Sequence, residues 1–171
     1  MQQKNNLTPN YFSYALYSVI FTALLFILFG SNGWGPSAAN EQAIGEISRW
    51  CERVSGGFFR EPVNTLGNLG FVVTGLYMFY KLSKDATTSK GIIMFSSSSL
   101  ALLYASASTF LGPGSMAMHG THTKFGAWLD NVSMVTYILI LWIYNLKRLS
   151  NFTQKTFYYI YLSILIYFAI A

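Results

Sequence analysis

The run YFSYALYSVIFTALLFILF, Tyr11–Phe29, contains no charged residue, no proline and no glycine. Its length is close to the about 20 mostly apolar residues that carry a helix across a bilayer. Four more apolar runs follow at Val63–Tyr80, Ile92–Leu111, Ala127–Leu146 and Phe157–Ala171. Backbone polar groups in hydrocarbon must be satisfied internally, and runs this long achieve that as helices; a barrel would show short alternating strands. The sequence predicts an all-α, polytopic transmembrane helical bundle with about five spans.

Composition agrees. Of the 171 residues, 53% are hydrophobic, 18% aromatic and only 10% charged. Soluble domains carry about 25% charged residues, so this chain lacks the means to cover a water-facing surface. The net charge of +5 does not form a basic patch interleaved with aromatic residues, and no nucleic-acid partner is expected. The basic residues sit between the spans. Lys4, Lys81, Lys84, Lys90, Lys147, Arg148 and Lys155 fall on one side, against Arg49, Arg53, Arg60 and Lys124 on the other. The richer side is the cytoplasmic one. The N-terminus is therefore expected inside, with the loops 31–62 and 112–126 on the outer side.

Residues 1–30 read as a tail and a first helix, and 31–171 as the main membrane domain. The first helix resembles a signal peptide, and Ser37-Ala38-Ala39 offers small residues for cleavage. Its lone preceding lysine and its full length favour an uncleaved span. Cys51 is the sole cysteine, so no intrachain disulfide forms. The last run reaches only about 22 Å at 1.5 Å per residue, short of the ~30 Å hydrocarbon core. The chain is accordingly expected to be a fragment whose remaining helices are absent.

The chemistry concentrates in Gly114-Ser115-Met116-Ala117-Met118-His119-Gly120-Thr121-His122 and Trp128-Leu129-Asp130-Asn131. Ionisable groups at membrane depth are costly and mark functional sites. Gly112-Pro113-Gly114 is expected to break the third span. Ser115 and His119, four apart, share a helix face beyond that break, and Asp130 opens the next run. Neutral imidazole is a common metal ligand, catalytic zinc takes about three protein ligands plus an open position, and a carboxylate beside it serves as base. A cofactor-free Ser-His-Asp triad uses the same residue types. Spacing alone leaves the two open. Asp130 with Asn131 also suits a helix N-cap. His122, before Thr123-Lys124, reads as interfacial and outside a ligand set.

A second constellation runs through Trp50-Cys51-Glu52 and Glu61-Pro62-Val63-Asn64-Thr65. Its oxygen donors suit calcium, which takes six to eight. The same carboxylates also suit a solvated loop, since Arg53 and Arg60 stand beside Glu52 and Glu61.

At these residues the chain resembles the alkaline ceramidase family, within the seven-helix membrane hydrolases that include the progestin and adiponectin receptors. The family carries Ser-x3-His with an aspartate eleven residues after the histidine, as in Ser115, His119 and Asp130. It also carries Trp-Cys-Glu before Glu-x-x-Asn-Thr, as in Trp50-Cys51-Glu52 and Glu61 to Thr65. The Gly-Pro-Gly-Ser-Met-Ala-Met-His form is similar to bacterial members. The resemblance implies a partial seven-helix fold over 31–171, preceded by an extra helix. It implies zinc held by His119 and by a late His-x3-His pair, which these 171 residues lack. Asp130 would activate water, and Ser115 would hold the site or stabilise the oxyanion. The substrate implied is a ceramide-like or other N-acyl lipid, cleaved to a fatty acid and a sphingoid base or amine. Calcium is the second ion implied, through the carbonyl of Trp50, Glu52 and Glu61. There the chain departs from calcium-binding members, with Arg49 in place of an aspartate and Val54 in place of another oxygen ligand. A non-catalytic receptor or lipid-binding scaffold of the same fold is the rival expectation.

Overall fold

The computed structural model describes residues 10–30, 35–39, 41–85 and 98–170. Lys4, Lys90, Ala171 and the first residues of the expected third span (92–97) lie outside them. The described residues form six helices: α1 (Tyr11–Phe29), α2 (Pro62–Gly67), α3 (Leu69–Asp85), α4 (Ser98–Thr121), α5 (Lys124–Ser150) and α6 (Gln154–Ile170). The architecture is all-helical, as the apolar runs require. Two helices, α1 and α5, are long and apolar enough to cross a membrane.

The helices run up and down between two ends. At one end the Phe12 amide donates to Ser83 Oγ at 3.0 Å, and Gln154 Nε2 donates to Ser99 Oγ at 2.8 Å. This end carries Lys81, Lys84, Lys147, Arg148 and Lys155. At the other end Trp128 Nε1 donates to the Ala169 carbonyl at 2.9 Å, and the 35–61 segment folds over the junction of α4 and α5. The central packing joins α4, α5 and α6 through Leu100, Ala107, Ile140, Ile143, Phe157 and Tyr161. A smaller cluster of Leu82, Ala101 and Ala105 seats α3 on α4 beside Tyr11 of α1.

Two sequence expectations are corrected. The second run is interrupted: α2 ends at Gly67, Asn68 caps it, and α3 begins at Leu69. The Gly112-Pro113-Gly114 break does not occur. Helix α4 runs through Pro113 to Thr121. Proline removes one backbone donor there, but its flanking glycines let both neighbours come close. A β-carbon on Gly112 would stand 2.4 Å from Val72 Cγ2 of α3, and one on Gly114 would stand 2.4 Å from Ser133 Oγ of α5. Small residues are what allow membrane helices this approach. Gly114→Ala is therefore expected to lower the thermal unfolding midpoint in detergent, with an overpacking cost of about 1–3 kcal/mol. An unchanged midpoint would show that α4 and α5 are not in such contact.

Candidate active site

The continuous α4 delivers Ser115 and His119 to the loop-covered end on one face, one helical turn apart. His122 closes the helix in left-handed backbone, with φ 53°. Thr123 then caps α5, its hydroxyl accepting from the Gly126 amide at 3.1 Å. The expected capping role of Asp130 is thus taken by Thr123. Asp130 lies in the second turn of α5, facing α4 instead.

The 35–61 segment satisfies the carbonyls that the end of α4 leaves free. The Glu61 amide donates to the His119 carbonyl at 2.9 Å and the Arg60 amide to the Gly120 carbonyl at 3.0 Å. The Ala38 amide donates to the His122 carbonyl at 3.0 Å. This backbone docking sets the Glu61 side chain against the His119 ring. Glu61 is fully buried, and its Oε2 makes a short contact with His119 Nδ1. Asn64 Nδ2 donates to the same oxygen at 3.2 Å. Burial alone would raise the Glu61 carboxyl. Hydrogen bonds from Ser48, His119 and Asn64 outweigh it and hold Glu61 below the usual carboxylate value.

His119 is therefore gripped at Nδ1, which leaves Nε2 for another partner. Trp50 packs edge-on against the ring, with centroids 4.9 Å apart. The Ser115 hydroxyl and the His119 ring both lie close enough to the Asp130 carboxylate to interact with it. Asp130 Oδ1 is buried without a hydrogen-bond partner, an exposed cost for a carboxylate unless another group meets it. A cavity of about 310 Å³ opens beside Asp130 and Asn131, walled by Met118, Trp50, Ala38 and Glu41. So the structure brings together Ser115, His119 and Asp130, with Glu61 and Trp50 behind the imidazole.

Glu52 is used elsewhere. Its two oxygens accept from the Val63 and Asn64 amides, both at 2.8 Å, and so cap α2. The Trp50 carbonyl receives Asn64 Nδ2 at 3.5 Å. The Trp50 carbonyl, both Glu52 oxygens and Glu61 Oε2 are thus engaged by protein donors. Val54 is buried and apolar, and Arg49 places a guanidinium 4.7 Å over the Trp50 ring. A hard cation wanting six to eight oxygens does not fit these residues. Added calcium, or its chelation, is expected to leave the thermal unfolding midpoint unchanged; a rise with calcium would overturn this reading.

The sequence reading missed Glu41 and the burial of His122. The His122 side chain is buried, 6% exposed, with Nδ1 3.0 Å from Glu41 Oε2 and Nε2 3.4 Å from Glu61 Oε1. One signal was available for Glu41. A chain with six acidic residues in all has few to spare for solvation.

A family model described as Ceramidase matches residues 47–171, which include each of these groups except Glu41 and the segment around it. The chain belongs to the ceramidase family. Neither a curated protein nor a solved structure is found to match it. Membership makes the chain a ceramidase-like hydrolase in general terms, a family of amide hydrolases acting on a lipid. Within that family the zinc question is one of donors. His119 Nε2 fits as one ligand, its other nitrogen held by a carboxylate as metal-binding histidines usually are. Among the described residues no group of three or more His, Cys, Asp or Glu is arranged to hold a metal.

Proposed function

We propose that this ceramidase-family chain is a membrane-embedded, zinc-dependent amidohydrolase. The linear amide of a ceramide-like or other N-acyl lipid is its substrate. The observation that carries the reading is the grip of buried Glu61 on His119 Nδ1, beside the Ser115–Asp130 pair. It leaves Nε2 of the imidazole ungripped, with the orphaned Asp130 Oδ1 close by. His119 Nε2 would hold a zinc ion, which would supply Lewis acidity toward the amide carbonyl.

The chain's own groups have distinct tasks. Glu61 fixes which His119 nitrogen carries the proton. Asp130 Oδ1 accepts a proton from the attacking water as general base, and Ser115 orients that carboxylate through its hydroxyl. Trp50 shields one edge of the imidazole from water. Helices α1 and α5 cross the bilayer, α3, α4 and α6 complete the five-span bundle, and the 35–61 segment covers the site on the outer face. The lysine-rich end then lies in the cytoplasm.

The test is hydrolysis of an N-acyl sphingosine in lipid nanodiscs, with and without a zinc chelator. Zinc-dependent release of fatty acid supports the reading. Retained hydrolysis in the metal-free protein would favour the Ser115-His119-Asp130 triad instead. No hydrolysis and no zinc would leave a lipid-binding scaffold.

A further inference from the structure

Two buried groups have no task in the reaction above: His122 and Glu41. The His122 ring is inserted between two carboxylates, Glu41 Oε2 at its Nδ1 and Glu61 Oε1 at its Nε2. The side chains of His122, Glu41 and Glu61 are 6%, 7% and 0% exposed. Glu41 comes from the segment preceding the family match at residue 47, and its other oxygen holds Arg49 Nη2 at 2.6 Å. The segment is pinned beside His122 by its backbone, through Ala38 to the His122 carbonyl and Lys124 to the Pro36 carbonyl at 2.9 Å.

Glu61 Oε1, His122 Nε2 and Glu41 Oε2 are each buried without a hydrogen bond, so the ring meets the two carboxylates by close approach, Nε2 standing 3.4 Å from Glu61 Oε1. A buried carboxylate without opposing charge or donors is strongly disfavoured. Remove the His122 ring, and the Glu61 carboxyl has reason to rotate toward whatever donors remain. Its Oε2 contact with His119 Nδ1 is then no longer fixed. Glu41, His122, Glu61 and His119 thus make one continuous buried chain of polar contacts running to the site, with the half-exposed Arg49 at its outer end.

We propose that His122, braced by Glu41, is a positioning residue. It sets the rotation of the Glu61 carboxylate and thereby keeps the His119 proton on Nδ1 and the lone pair on Nε2. The inference rests on the reading of Glu61 and His119 given above. Its distinct content is that a histidine outside the family motif, and a carboxylate outside the matched region, tune the motif histidine.

The backbone role of His122 separates cleanly from that of its ring. A φ of 53° costs glycine nothing and is tolerated by asparagine. His122→Gly therefore removes the imidazole while keeping the turn. The experiment is nitrogen-15 NMR of imidazole-labelled, metal-free protein in detergent micelles, with helix content followed by circular dichroism.

In the native chain His119 should show one tautomer, protonated at Nδ1. In His122→Gly it should show a mixture of both tautomers at unchanged helix content, and Glu41→Gln should move it partly the same way. If His122→Gly does not fold, His122→Asn and Glu41→Gln carry the same reading. A His119 signal unchanged in the folded variants would overturn the proposal and leave His122 a turn residue. A native His119 protonated on Nε2 would overturn the Glu61–His119 arrangement beneath it as well.

Discussion

His119→Ala is expected to abolish both zinc binding and amide hydrolysis. The reason is geometric. Only two histidines occur in the chain, and His122 has both ring nitrogens facing carboxylates. His119 is the one with a nitrogen left over, since Nδ1 is taken by Glu61. Truncation removes the ligand and strands a fully buried carboxylate that had relied on the imidazole, so a folding check must accompany the assay. His119→Gln retains bulk and one donor for Glu61, and it should fold yet remain without zinc and inactive. Zinc content by atomic emission spectrometry and fatty-acid release measure the two losses. Zinc retained at native stoichiometry in His119→Gln would remove His119 from the ligand set.

Asp130→Asn is expected to lower kcat by about 10²–10⁴-fold, the range for removing a general acid–base group. Unlike the His119 variants, it should retain zinc. The amide keeps the size of the side chain and a hydrogen-bonding partner for Ser115, but it cannot take up a proton. Asp130 Oδ1 meets no protein donor in its buried position, so the substitution breaks no hydrogen bond at that atom and stability should hold. Steady-state hydrolysis with parallel metal analysis separates the roles. Loss of zinc in Asp130→Asn would make the carboxylate a ligand instead of a base, and near-native kcat would deny it either part.

Much of this was legible from residue spacing, because helices are local. Tyr11–Phe29 was read to the residue, since a run without charge or glycine ends where its composition changes. Ser115 and His119 share a face by the helical period, and the apolar run from Ala127 placed Asp130 near the helix start. What escaped was tertiary. Proline and glycine at 112–114 signal a break in isolation. In the bundle, α3 and α5 press close on both glycines and the helix continues.

Glu41 escaped because its partners, Arg49 and His122, are reached by loop closure and by no periodic pattern. Glu52 was placed in a cation site from its type. The structure spends it on the free amides of α2, a role that short-range sequence cannot distinguish from ion binding. The burial of His122 escaped because Thr123 and Lys124 after it suggest an exposed loop. In fact the covering segment, far away in sequence, buries it.

The most direct test of the central claim is fatty-acid release from an N-acyl sphingosine by the purified protein in nanodiscs. It should be measured before chelation, after chelation and after zinc is restored. The account predicts hydrolysis that disappears with the metal, returns with zinc, and is absent throughout in His119→Gln. Hydrolysis that survives metal removal, or that persists in His119→Gln, would contradict it.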